Sequence, residues 1–383
     1  MKELFNKYRS QIEFLSTYSL LFFFLLTLQF RMNLQNHEKN SELITVLYPY
    51  LEKINFLFEV ILLVVLFSTI IFISKRRFRI DPFVHLFAFF HLILAIKYAF
   101  YGIDNNALSY FFRFVMVYFL YFYSLLLIEK LTIRGVGVIA LVVVFISCVA
   151  VFLVNPPENF SSRFHFLSQN PNHTAVWLCS MLFLGLTFSK GKDYFWTILN
   201  LIASIFVLIL IYALESRTAY LGVAVFFSLK ILKLKSEKKL LLLILTVFML
   251  VLYLQYGTDL WSHRHDRIGY WLSHFADENY SVFIGADFSS QSAYFESYFF
   301  TLPYSFGLVF GSLLLISSSF LFLRMVRNSI RYRKSSGNDF LPIFSAFGVM
   351  GIAEATFAAV LAPSMMAFML ALTAFNYKRK SNL

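Results

Sequence analysis

Long apolar runs recur along the entire chain, separated by short polar and basic segments. Runs of about 17–25 apolar residues match helices that cross the hydrocarbon core of a bilayer. The pattern predicts spans near 14–30, 54–74, 83–101, 107–128, 136–154, 172–188, 195–214, 218–232, 240–256, 297–323, 341–357 and 361–377. A membrane barrel is excluded, because its strands alternate in polarity and are about half as long. The expected fold is all-α: a polytopic transmembrane helical protein of about 12 spans, one integral membrane domain over residues 1–383.

A single long polar interval, residues 257–296, stands between the apolar runs 240–256 and 297–323. Within it Trp261, Arg264, Ile268, Trp271, Leu272 and Phe275 recur at spacings of three and four. That periodicity predicts an amphipathic helix lying in the membrane interface. The run 297–323 is longer than one span requires. Pro303 predicts a kink or a late start of the membrane helix. The pair Gly307 and Gly311, four residues apart, predicts close helix contact.

Composition agrees: the chain is 59% hydrophobic and 14% charged, with mean hydropathy +0.70, whereas a soluble domain is nearer one quarter charged. The net charge of +12 raises the question of nucleic acid. Its placement answers it. Of the 33 Lys and Arg, 24 fall in the N-terminal segment, alternate connections and the C-terminal tail. This is the positive-inside signal, which puts both termini in the cytoplasm and 257–296 on the periplasmic face. Cys148 and Cys179 lie inside apolar runs and read as small core residues. The first apolar run is long and no small-residue cleavage site follows it, so a cleavable signal peptide is not expected.

Three outward connections then carry the candidate chemistry: 155–171, the turn 215–218, and the long loop. They hold Arg163, Arg217, Arg264 and Arg267 on the face where positive charge is scarce. Lys97 and Arg113 lie near the outer ends of their spans and are expected to snorkel outward, with Glu59 a partner. His85 and His91 read as satisfied core or interfacial histidines. His263, His265 and Asp266 are spaced by one and two, which does not put them on one helical face, so no metal site is expected.

At these residues the chain resembles the bacterial O-antigen ligase and O-antigen polymerase superfamily. Arg163 precedes Asn170-Pro171-Asn172 and His173-Thr174-Ala175, which open a span. Ser216-Arg217-Thr218-Ala219 opens another after a short outward turn. Arg267 stands four residues before Trp271 and is followed by Phe283-Ile284-Gly285-Ala286-Asp287-Phe288. An aromatic-rich segment, 294–311, leads into the tenth span.

The resemblance implies inverting glycosyl transfer from an undecaprenyl-diphosphate-linked glycan at the periplasmic face of the bacterial inner membrane. Arginine suits a departing lipid diphosphate, because its planar fork binds phosphate oxygens bidentately and stays charged. Arg163, Arg217 and Arg267 are the expected diphosphate ligands, with Arg264 beside them. A base must take the acceptor's proton. The ligases carry a His shortly before the tenth span. Here Ser289-Ser290-Gln291-Ser292-Ala293-Tyr294 has none, which leaves Glu296, Asp287 and His274 as candidates. The expected activity is therefore polymerisation of repeat units into O-antigen or capsular polysaccharide. A ligase acting on lipid A-core or protein is one alternative, and a flippase or secondary transporter another. No internal repeat and no mid-membrane charged pair favours transport. The donor carries its own activation, so no cofactor, nucleotide or metal is expected. Implied partners are the lipid bilayer, the lipid-linked glycan, a flippase and a chain-length regulator, with no nucleic acid.

Overall fold

The computed structural model describes residues 15–28, 42–74, 79–101, 105–154, 171–189, 194–214, 216–231, 273, 275, 280–286, 298–332, 340–353 and 362–381. Among them 92% are helical. The helices are α1 (Leu15–Leu28), α2 (Glu42–Ser74), α3 (Pro82–Tyr101), α4 (Asn105–Lys130), α5 (Ile133–Val154), α6 (Pro171–Phe188), α7 (Tyr194–Ala213) and α8 (Arg217–Ile231), followed by α9 (Tyr298–Phe306), α10 (Leu308–Tyr332), α11 (Leu341–Ala353) and α12 (Pro363–Ser381). A two-stranded antiparallel hairpin, β1 (Tyr280–Ser281) and β2 (Gly285–Ala286), stands between α8 and α9. Among the described residues five helices, α2, α3, α4, α5 and α10, are long and apolar enough to cross a membrane, and α1, α6, α7 and α11 are shorter apolar helices. The fold is that of a helical membrane protein.

Helix starts follow from local chemistry. Pro82, Pro171 and Pro363 each open a helix at its first position, where the missing N–H is not needed. Asp81 caps α3, accepting from Phe83 N at 2.9 Å. Thr132 caps α5 through Gly135 N at 3.1 Å. Ser216 caps α8 through its Oγ to Ala219 N and its carbonyl to Tyr220 N. In each case a side-chain oxygen satisfies an N–H that the helix leaves unpaired.

The centre of the bundle is α12, buried along its whole run from Pro363 to Phe375. It lies between α4 and α6; α6 packs on α5 and α8, and α11 covers α8. Phe368 touches Phe83 of α3 and Phe344 and Phe347 of α11. Phe183 of α6 stacks on Phe226 of α8 at 4.2 Å. Within a membrane, association rests on close contact rather than on escape from water. Small residues supply it: Gly137 lies against the Phe188–Ser189 backbone, Gly185 against Leu141, and Gly222 against Met350. Cys148 and Cys179 are free and fully buried, as expected of core residues. Helices α2 and α10 leave most of their apolar surface outside the bundle, the face a lipid would cover.

Several boundaries depart from the sequence reading. Helix α2 begins twelve residues before the expected 54. Helix α11 is described over Leu341–Ala353, within the expected span 341–357. The run 297–323 is two helices, and the break falls at Gly307 rather than at Pro303, which lies inside α9. Gly307 has φ +83, the left-handed conformation that glycine adopts without strain. Four residues on, Gly311 presses against the Leu302–Pro303 backbone, the close contact that the glycine pair predicts. The expected span 240–256 lies outside the described residues.

Candidate functional site

The packing defines two faces. Asn376, near the end of α12, donates to Asp81 at the start of α3 (2.9 Å). Phe340, just before α11, meets Phe188 at the end of α6 and Phe375 near the end of α12. Lys230, near the end of α8, donates to the Leu186 carbonyl near the end of α6 at 2.8 Å. The ends of α6, α8 and α12 therefore share one face with the start of α3. Their starts share the opposite face with the end of α3 and the hairpin, here called the loop face.

Arg217 is the first residue of α8 on that face. It is half-buried, between fully buried Ser216 and buried Thr218. Its position breaks a local rule. The helix macrodipole puts partial positive charge at a helix start, where carboxylates are favoured and cations are not. The neighbouring starts of α6, with Asn172 and His173, and of α12 add two more positive helix ends to the same face. Such an arrangement holds an anion well. Of the seven candidate diphosphate-binding and base residues, Arg217 alone falls among those described. Arg163, Arg264, Arg267, His274, Asp287 and Glu296 lie outside them.

A second feature of the loop face did not show in the sequence. The hairpin 280–286 is fastened to the α9–α10 junction. Tyr280 Oη donates to the Pro303 carbonyl at 2.9 Å, and Val309 N to the Val282 carbonyl at 3.2 Å. Phe275, Tyr280 and Tyr304 form an aromatic cluster over buried Ala286. Gly285, at φ +85, and Gly307 face each other across this contact. A Cβ on Gly285 would stand 2.6 Å from Gly307 N, and one on Gly307 would stand 2.7 Å from Ile284 N. Burial raises the Tyr280 phenol above its ordinary value, against a smaller opposing effect of the Leu308 backbone amide. Of the amphipathic helix expected over 261–275, only Ser273 and Phe275 are described, both helical.

Lys97 corrects an expectation. It does not snorkel outward or pair with Glu59. Its side chain is only 7% exposed, and its ammonium donates to the Ile284 carbonyl at 2.7 Å and the Ser305 carbonyl at 2.8 Å. Glu59 is exposed on α2 instead. Arg113 remains on α4, its guanidinium 4.8 Å from the Tyr110 ring centre. His85 is satisfied by Tyr118 Oη at 3.0 Å. His91 is not: it is buried, stacks on Tyr110, and its Nδ1 has no hydrogen-bond partner among the described residues.

An apolar cleft of about 240 Å³ runs between α3, α9, α10, α11 and α12. Its aromatic wall includes Phe83, Phe87, Phe90, Phe347 and Phe368, and Leu302 of α9 also lines it. No protein-family model, curated protein or solved structure matches this chain.

Proposed function

We propose that this chain is a membrane glycosyltransferase that joins undecaprenyl-diphosphate-linked repeat units into O-antigen or capsular polysaccharide. The observation that carries the reading is Arg217, a half-buried cation at the positive end of α8 beside the positive ends of α6 and α12. That concentration of positive potential suits a diphosphate leaving group. The aromatic cleft supports the reading as a surface for the isoprenoid tail, which must stay in hydrocarbon while the diphosphate reaches the loop face. In this reading the chain crosses the bacterial inner membrane about twelve times, both termini are cytoplasmic, and 257–296 is periplasmic. Arg163, Arg264 and Arg267 join Arg217 on the diphosphate. Glu296, Asp287 or His274 takes the proton from the acceptor hydroxyl. The chemistry needs no cofactor, since the sugar is already activated by its diphosphate linkage.

The test uses the full chain in liposomes supplied with lipid-linked repeat units. Wild type should yield a ladder of polymers. Arg217→Ala should yield none while remaining folded, and Arg217→Lys should recover little, because a point charge cannot reproduce the planar fork. Polymerisation by Arg217→Ala at the wild-type rate would remove Arg217 from the site. A strain lacking the protein should accumulate single repeat units; accumulation of long unligated polymer would instead mean a ligase.

A further inference from the structure

We infer that Lys97 is a positioning residue: its buried ammonium fixes the hairpin 280–286 to the bundle and so sets the geometry of the loop face. The argument starts from the break at Gly307. A helix leaves its last carbonyls without intrahelical donors. Ser305 is in the last turn of α9, so its carbonyl is one of these. Ile284 closes the turn between β1 and β2, and the two-rung hairpin gives its carbonyl no strand partner. Both carbonyls are brought to one point because Gly285 and Gly307 let the two backbones meet without Cβ atoms. Lys97, reaching in from α3, donates to both at 2.7 and 2.8 Å. Three separate pieces of chain are thereby joined: α3, the hairpin and the α9–α10 junction. A compact ammonium suits the task, since its three donors can point at carbonyls from different segments. Lysine is rarely buried this deeply unless its charge is satisfied.

The consequence is geometric. The hairpin and the α9–α10 junction, both on the loop face, are held to α3 by contacts that meet at Lys97. The activity part of this inference rests on the function proposed above; the docking part does not.

The experiment places a reporter under the hairpin. Ala286 is buried against Tyr304, and the native Cys148 and Cys179 are fully buried, so Ala286→Cys gives one new thiol. Its reaction with a maleimide is followed in the full chain in nanodiscs. With Lys97 intact it should be protected. Adding Lys97→Met should accelerate labelling by about a hundredfold or more, the factor for losing two charge-assisted bonds together, while the bundle still unfolds cooperatively. Lys97→Arg, which keeps charged donors, should restore most of the protection. Lys230→Met, which removes the ammonium on Leu186 at the opposite face, should change nothing. If Lys97→Met does not yield folded protein, Lys97→Gln is measured in its place, with the same expectation.

Labelling of Lys97→Met at the rate seen with Lys97 intact would overturn the inference. Equal acceleration by Lys230→Met would also overturn it, as general loosening. In the liposome assay, Lys97→Met should lower kcat with little change in the KM for the donor, and Lys97→Arg should recover kcat. If wild type makes no polymer yet the labelling results hold, the proposed reaction fails and the positioning role stands. If polymerisation holds and labelling does not respond, the role of Lys97 fails alone.

Discussion

Replacing Gly307 by alanine should release the hairpin from the bundle, and the size of the effect can be worked from the contacts. An L-residue held at the left-handed φ of +83 costs about 1–2 kcal/mol. The new Cβ would stand 2.7 Å from Ile284 N and closer still to the Phe283 carbonyl. These are backbone atoms with no rotamer to escape into, so the hairpin must retreat by roughly 1 Å to reach ordinary contact. That movement takes the Val309 N to Val282 O bond, already 3.2 Å, beyond hydrogen-bond range. It also draws the Ile284 carbonyl away from Lys97. A neutral bond contributes about 1 kcal/mol net and a charge-assisted one about 1.5–3 kcal/mol. The combined loss is roughly 4–6 kcal/mol of docking free energy, or about 10³–10⁴ in the opening equilibrium. Hydrogen exchange by mass spectrometry reads this directly. Peptides covering 280–286 should exchange faster by about that factor, while peptides from α6 and α12 keep their protection, because Gly307 is remote from the central core. Exchange of the hairpin within about tenfold of wild type would refute the reasoning, since it would mean that the glycine contact does not hold the loop.

The Tyr280 phenol must be protonated to donate to Pro303, and its folded pKa is raised by burial. Its contribution to docking is therefore fully present below the ordinary phenol value of about 10 and is lost as pH climbs through the raised one. Hairpin protection should hold up to about pH 10 and fall above it, and Tyr280→Phe should remove the dependence. Two glycines at helix contacts should respond in opposite ways to alanine. Gly222→Ala meets only the flexible Met350 side chain, the closest atom 2.6 Å away, and alanine improves helix propensity by up to about 1 kcal/mol, so thermal unfolding should be unchanged or raised. Gly137→Ala meets the Phe188–Ser189 backbone at 2.6 Å and should destabilise by about 1–3 kcal/mol; an unchanged melting temperature would contradict that packing.

The helical membrane fold was legible because a bilayer demands long apolar runs whatever the tertiary arrangement. The start of α8 was legible too, since Ser216 is a good cap and Arg217 follows it. The junction at 297–323 was not. Hydropathy reports that a stretch is apolar, not whether its helix is continuous, and Pro303 is the stronger sequence signal than Gly307. Yet α9 runs through Pro303 without a break, whereas only glycine fits a left-handed φ pressed against another backbone. Lys97 was misjudged for a related reason. Position along a span shows that a lysine can reach the interface, but its partners here are carbonyls 187 and 208 residues away, and backbone acceptors leave no trace in residue identity.

The placement of α12 bears on how the loop face could hold charge. The helix at the centre of the bundle is the last of the chain, and it starts on the same face as its neighbours α4 and α6, with α8 next in line. Antiparallel neighbours cancel each other's macrodipoles; helices running side by side in one direction add theirs. Antiparallel partners α3, α5, α7 and α11 pack on this row and bring their negative ends to the same face, so they offset part of its potential. Along the row α4, α12, α6 and α8, the loop face receives the positive ends of neighbouring helices before any side chain is counted. Arg217 adds a full charge at the first residue of α8, between buried Ser216 and Thr218. An anion arriving there would meet both sources at once, and under the proposed function a phosphate-bearing lipid would set its charged end at the loop face and its apolar body along the aromatic cleft.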